Sequence, residues 1–226
     1  MTALKNLKIL DFSTLLPGPF ATLVLADLGA KVLRVEAPDR VDLTRVLGAL
    51  DGDASFAHRY LNRSKKSIGL DLKKPAAIEI IKQLICEYDV VVEQFRPGVM
   101  DKLGLGYETL KEINPELIYC SLTGYGQTGP YKNRGGHDNN YLSIAGIQDH
   151  SRRNEQAPVP AGIQIADVAG GSLHGVIGIL TALYHRQRTG EGQMIDISMT
   201  DCAFALNAMS GAGALAGNEI PTAESQ

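Results

Sequence analysis

The sequence predicts an open, mostly parallel α/β sheet of the Rossmann-like kind, flanked by helices, and three observations predict it. Short apolar runs rich in Val, Ile and Leu recur at residues 7–12, 31–36, 89–93, 117–122 and 193–198, as buried strands do. Stretches with helical spacing lie between them, so successive strands need crossover connections and run parallel. Turn residues punctuate the junctions, among them Pro17-Gly18-Pro19, Ala37-Pro38 and the 190–192 segment.

Taken in order, residues 7–12 (LKILDF) open the chain as a short buried strand. Residues 13–19 are expected as a turn. Residues 20–28 are apolar at helical spacing, and Gly29 is placed to close that helix. Residues 31–36 (KVLRVE) alternate as a strand, which Ala37-Pro38 stops. This strand–helix–strand unit requires a right-handed crossover. Residues 39–67 are polar and lack strong periodicity; so long a loop in a compact domain is expected to bind something. An apolar alternation follows over 68–72. Pro75 stands where the first residue of a helix belongs, and 76–87 continues that helix. Residues 89–93 (DVVVE) form the third strand, with Phe95-Arg96-Pro97-Gly98 as the loop at its carboxyl end. A short helix over 107–114 leads to the fourth strand, 117–122. After the Gly-rich loop 123–130, the segment holding His137 opens a helix to about Gly146. Residues 148–162 are irregular, 167–188 form a long central helix, 193–198 the fifth strand and 200–215 a final helix. The polar tail 217–226 is expected to fray.

Composition narrows the function. A formal net charge of -3 argues against nucleic acid or an anionic membrane as partner. No apolar run reads as a membrane span, and residues 1–8 carry no signal-peptide core, so a cytoplasmic protein is expected. Cys86, Cys120 and Cys202 are widely spaced and odd in number, as buried free thiols in a reducing compartment would be. His58, His150, His174 and His185 lack metal-ligand spacing, and no metal site is expected. Residues 124–129 spell G-x-G-x-x-G after a strand, but Pro130 follows and no helix opens inside the motif. A pyrophosphate would have no helix N-terminus to rest on, so a loop passing close to some other ligand is the better reading.

Two carboxyl and imidazole positions carry the chemistry. His137 follows Gly135-Gly136 and precedes an apolar run, and Asp167 precedes Gly170-Gly171 and the long helix. A His and an Asp on separate loops can face each other across a ligand, taking a proton from one face of a carbon and returning it to the other. Each also has a simpler reading: His137 as a hydrogen-bonder at a helix start, Asp167 as an N-cap. A glycine in a helix costs about 1 kcal/mol relative to alanine. Gly170 and Gly171 therefore suggest a ligand or a second backbone close by. Asn62, Arg63, Lys65 and Lys66 make either a solvated basic face or a phosphate clamp, and Arg96 at a strand end is a better-placed anion ligand.

Together these residues resemble the family III CoA-transferases, and within them the α-methylacyl-CoA racemase branch. The resemblance runs from about Leu7 to about Leu215. It rests on Asp27-Leu28-Gly29-Ala30 with Val32-Leu33-Arg34-Val35-Glu36, on Arg96-Pro97-Gly98-Val99, on Leu103-Gly104-Leu105-Gly106, on the 123–130 loop and on Gly190-Glu191-Gly192-Gln193. Gly136-His137-Asp138 with Asn140 and Tyr141 has the racemase form. The resemblance implies a CoA thioester substrate, with coenzyme A entering as part of it and no separate cofactor. It implies that residues 1–216 are a CoA-binding large domain, that 217–226 begin a linker to a second, smaller domain, and that two chains interlock as a homodimer. Arg34, Asn62, Arg63, Lys65, Lys66 and Arg96 would hold the CoA phosphates and adenosine, and Gly124, Tyr125, Gly126, Asp138 and Tyr141 would complete the CoA site. The family's additional basic residue after the second strand is replaced by Ala37-Pro38. His137 and Asp167 match the two acid/base residues of a 1,1-proton transfer at the α-carbon of a 2-methylacyl-CoA. In the racemases a further carboxylate, from the smaller domain, pairs with the histidine. The transferase branch implies instead that Asp167 is a nucleophile; a third reading is a CoA-binding fragment without turnover.

Overall fold

The structure, a computed structural model, describes residues 2–217. Its centre is a six-stranded, all-parallel sheet in the order β5-β2-β1-β6-β7-β8. The strands are β1 (Lys8–Asp11), β2 (Lys31–Glu36), β5 (Lys66–Gly69), β6 (Val90–Glu93), β7 (Ile118–Thr123) and β8 (Met194–Ser198). A small antiparallel hairpin, β3 (Leu50–Asp51) with β4 (Ala54–Ser55), stands apart in the β2–β5 crossover.

Alternation along the strands explains why both faces are covered. Ile9, Val90, Val92, Ile118, Cys120 and Leu122 point into one apolar layer, while Leu10, Val91 and Tyr119 point into the other. Strands buried on both faces read as continuous apolar runs, and β6 and β7 do. The first layer is closed by α1 (Pro17–Asp27), α8 (His174–Thr189) and α9 (Met199–Leu206), the second by α3 (Pro75–Ile85) and α5 (Tyr107–Ile113). Full burial of each Val, Ile or Leu contributes about 1.5–3 kcal/mol.

The chain builds outward from β1 to β2 and β5, then returns to the other side of β1 with β6. That reversal opens a crevice beyond the carboxyl ends of β1 and β6, where ligands of such sheets bind. The start of α1 crosses there: Gly18 donates its N–H to Gln94 Oε1 at 3.0 Å, just after β6.

Several expectations need correction. Pro17-Gly18-Pro19 is the first turn of α1, not a loop before it, because proline tolerates the helix start where its missing N–H is not needed. The aperiodic 39–67 stretch folds into a 3-10 turn (Leu43–Arg45), the hairpin, α2 (Phe56–Asn62) and the beginning of β5. Side-chain caps fix it: Asp42 accepts from Thr44 N–H and Ser55 from His58 N–H. α4 (Val99–Lys102) was also not foreseen. The helix expected from His137 to about Gly146 is α6 (Asp138–Ile144), and the stretch expected to be irregular from 148 begins instead with a short helix, α7 (Ile147–His150). The long helix begins as a π-helical segment, Ala166–Leu173, before becoming α8. Together these span 24 residues that are long and apolar enough to cross a membrane, contrary to the sequence reading; here they lie on the sheet. The last helix breaks at Asn207 into α9 and α10 (Ala208–Leu215), where His150 Nε2 meets Asn207 Oδ1 at 3.1 Å. Of the cysteines only Cys120 is fully buried; Cys86 is exposed and all three are free. The expected linker at 217–226 lies outside the described residues apart from Gly217.

Candidate active site

The π-helical segment carries Asp167 in its first turn, so the simpler reading of this residue as an N-cap does not hold. Its glycines answer to a second backbone. A Cβ on Gly170 would lie 3.0 Å from the Met199 carbonyl oxygen and 3.3 Å from Ala203 N; one on Gly171 would lie 2.9 Å from Met199 Cγ. Both glycines therefore let α9 pack against the segment. Ser172 Oγ donates to the Pro17 carbonyl at 2.7 Å, tying the segment to the start of α1. Single π turns inside α-helices recur at functional sites, and Asp167 stands in one.

His137 is the N-cap of α6 and is exposed. Its N–H donates to Asn140 Oδ1 at 2.9 Å, which fixes the start of the helix. The next residue, Asp138, is buried, and its Oδ1 accepts the N–H of Asp167 at 3.0 Å. The structure thus brings the two acid/base candidates together through one hydrogen bond between their segments. Burial raises the Asp167 carboxyl to about 6, the neighbouring Asp138 charge adds to the rise, and a charged His137 opposes it. The N–H groups of Asp138 and Asn139 open α6 ahead of any intrahelical acceptor, whereas that of Asn140 donates to the His137 carbonyl at 2.8 Å.

Tyr141 is the wall behind these groups. A Cβ on Gly124 would come within 2.5 Å of its ring and one on Gly136 within 2.6 Å. The close neighbour that demands glycine at both positions is Tyr141, not a ligand. The Tyr141 hydroxyl donates to the Gly136 carbonyl, and its ring meets Tyr125 edge-on at 5.3 Å. Burial and the Asp167 charge push the Tyr141 phenol far up, so it stays a neutral donor. The Gly-rich loop is anchored from below: Thr200 N–H and Oγ1 donate to the Gly124 carbonyl at 3.0 and 2.7 Å, and Gln127 N–H donates to Asp196 Oδ2 at 2.9 Å. Gly126 is buried there with φ +77°, a conformation glycine supplies.

Arg96 is exposed beyond β6 and leans over the His137 loop. Its guanidinium donates to the Asn133 carbonyl at 2.7 Å and lies within 2.7 Å of where a Gly135 Cβ would be. The other expected phosphate ligands divide. Lys66 and Arg63 are exposed; Arg63 pairs with Asp27 at 2.6 Å and lies over the Tyr60 ring. Asn62 is half-buried and donates to the His58 carbonyl at 3.1 Å.

The Arg34 and Lys65 side chains are turned away from solvent and paired within the fold, unlike those of Arg63 and Lys66. The Arg34 guanidinium is buried between Asp42 and Glu36, the latter at 2.8 Å. Lys65 is buried beside Asp11 at 3.5 Å and donates to the Pro19 carbonyl at 2.8 Å. Burial lowers the Lys65 ammonium to about 8, with Asp11 opposing that shift. These cations hold the crossover against α1, because an ion removed from water needs its counter-ion beside it.

Sequence reasoning missed Asp11, Asp42, His58 and Glu93. Asp11 accepts from Ser13 N–H at 2.9 Å and from Thr22 Oγ1 at 2.5 Å; His58 Nδ1 lies 3.0 Å from Thr44 Oγ1. Glu93 accepts from Phe95 N–H at 2.7 Å below the Arg96 loop, and burial raises its carboxyl to about 7. A usable signal existed for Asp11 and Glu93: each is an acid ending an apolar strand at the carboxyl edge. Among the described residues no cluster of three or more His, Cys, Asp or Glu side chains is arranged for a metal ion.

Comparison with known proteins places this geometry. The chain is 42% identical over 200 residues to the human alpha-methylacyl-CoA racemase, covering 88% of this chain and 48% of that protein. It is 41% identical over 203 residues to the human succinyl-CoA:glutarate CoA-transferase, covering 89% and 46%. A CAIB/BAIF family protein from Brucella suis superposes with a TM-score of 0.92 at 39% identity, over 98% of this chain and 60% of that one. The chain spans about half the length of the curated relatives it matches. Residues 4–226 match CoA-transferase family III, and the chain belongs to that family.

Proposed function

We propose that this chain carries the proton-transfer site of an acyl-CoA racemase. His137 and Asp167 exchange the α-proton of a 2-methylacyl-CoA thioester through an enolate, one as base and the other as conjugate acid. The observation that carries this reading is a half-buried carboxyl at about 6 whose segment is hydrogen-bonded to the residue after a histidine. An Asp at its ordinary value near 3.9 is too weakly basic to hold a proton at neutrality. At about 6, roughly one Asp167 in ten is protonated at pH 7, enough to reprotonate the carbon. The Asp138 and Asn139 N–H groups at the start of α6 are suited to the enolate oxygen. Arg96, Arg63 and Lys66 are the exposed cations for the CoA phosphates. The reading includes a homodimer, as the family resemblance implies, a cytoplasmic location, as the composition suggests, and coenzyme A arriving only as part of the substrate.

CoA transfer is the second reading, favoured by the near-equal identity to a transferase. There Asp167, ionised, attacks the thioester carbonyl to form an acyl anhydride and free CoA thiolate. The CoA thiolate then attacks the aspartyl carbonyl of that anhydride and expels the donor carboxylate, leaving an Asp167–CoA thioester. One experiment separates the two. A single epimer of a 2-methylacyl-CoA is incubated in D2O and its α-proton followed by NMR, with His137→Ala and Asp167→Ala alongside. Racemisation predicts deuterium uptake that is lost in both variants. Uptake that persists without Asp167 defeats the reading. An Asp167–CoA thioester, with no uptake, establishes transfer.

A further inference from the structure

Asp138 is only 8% exposed, and its Oδ1 is engaged by the Asp167 N–H at 3.0 Å. This N–H belongs to the first turn of a helix, where no intrahelical acceptor exists. The bond joins α6 to the π-helical segment, and its two ends are the residue after His137 and Asp167 itself. We propose that Asp138 is a positioning residue: its carboxylate clamps the backbone of Asp167 and so fixes the placement of the two proton-transfer groups, rather than holding CoA. This deepens the proton-transfer reading and rests on it.

The charge of Asp138 has a second effect. Burial is the main reason Asp167 holds its proton, and Asp138 is the next. Each element packed on the segment brings its own side chains toward Asp167. α6 brings His137, Asp138 and Tyr141; α9 brings Asp201 and Cys202; α8 brings His174, whose Nδ1 meets the Ala169 carbonyl at 2.7 Å. β7 and β8 bring Cys120 and Asp196, with Tyr119 on the far face of the sheet, and Pro17–Phe20 of α1 brings no titratable side chain. Tyr125 and Arg96 act on Tyr141 beside it. Of all these, Asp138 and His137 are the ones that move Asp167.

Asp138→Asn tests the inference because the amide keeps an acceptor oxygen while losing the charge. The Asp167 carboxyl is titrated directly by carbon-13 NMR, and kcat and KM for α-proton exchange are measured against pH. The Asn variant is expected to lower the Asp167 midpoint by roughly one pH unit. In the direction where Asp167 donates, the fall of kcat with rising pH moves down equally, while KM stays unchanged. Asp138→Ala removes the clamp as well, and kcat is expected to fall roughly tenfold further. An Asp167 midpoint unmoved in Asp138→Asn, with KM raised instead, overturns the proposal and marks Asp138 as a ligand contact. Faster hydrogen exchange of the Asp167 N–H in Asp138→Ala than in Asp138→Asn supports the clamp even in a protein showing no α-proton exchange, so failure of the clamp and failure of proton transfer are distinguishable.

Discussion

On the β2–β5 side of the sheet's carboxyl edge, Arg34 and Lys65 are buried next to Asp42, Glu36 and Asp11. On the β7–β8 side, buried Asp138 lies next to half-buried Asp167. Both regions take charge out of water, but the first matches each cation with an anion and the second sets two carboxyls together. Matched burial makes scaffold, since each ion is compensated where it stands. Like-charge burial makes a group whose proton is held near working pH, which is what acid–base chemistry requires. Charge type alone does not separate the two regions; the sign of the nearest neighbour does.

The sharpest way to break this contrast is Asp167→Asn. Proton transfer by a positioned acid or base is worth about 10²–10⁴-fold, so α-proton exchange should fall by about that factor. Stability should move the other way. The folded carboxyl lies at about 6, raised from 3.8, so the native state binds its proton more tightly than the unfolded chain does. That advantage is complete below about pH 4 and is lost as pH rises through about 6. The Asn variant does not ionise. Its unfolding midpoint should therefore match the parent near pH 4 and exceed it near pH 8, by up to about 3 kcal/mol. Equal stabilities at pH 8 would show that Asp167 is as well compensated as the scaffold ions.

Lys65→Ala probes the other region. Removing one partner of a buried pair leaves Asp11 uncompensated and costs about 3–5 kcal/mol. Urea unfolding measures it, and the Asp167 titration serves as control, expected to stay in place. A loss below about 1 kcal/mol would return Lys65 to the pool of ligand-binding cations.

Most of the frame was legible before the structure. Periodicity fixed β1, β2, β6, β7 and β8 closely, because strands buried on both faces have little freedom in composition. The 39–67 region was not legible: its order comes from caps at Asp42 and Ser55 and from ion pairs to distant Asp11 and Glu36. Such pairings leave no local period. The same holds at the site. His137 and Asp167 stood out by their glycine context, but the Asp138 bond spans 29 residues and no spacing announces it. The glycines of the helix were read correctly as a close-approach signal, and only the packing showed that α9 was the neighbour. Gly170→Ala should thus cost about 1–3 kcal/mol through overpacking against Met199 and Ala203. Thermal unfolding checks it, and an unchanged midpoint would mean that α9 moves aside freely.

The smallest effect is also the most discriminating within the basic segment. Arg63 is two residues from Lys65, yet its side chain is 41% exposed and its ion pair with Asp27 is a surface one. Exposed pairs contribute about 0–1 kcal/mol, so Arg63→Ala should leave urea unfolding almost unchanged. The stacking on Tyr60 adds little more at an exposed site. If Arg63 meets a CoA phosphate, the same variant weakens CoA binding by roughly tenfold at low salt, and the difference shrinks as salt screens the contact. Calorimetric titration with CoA at two ionic strengths reads both quantities. A variant that loses stability but not affinity would place Arg63 with Arg34 and Lys65 in the scaffold. One that loses affinity alone would put the boundary between ligand-facing and structural cations inside a run of three residues.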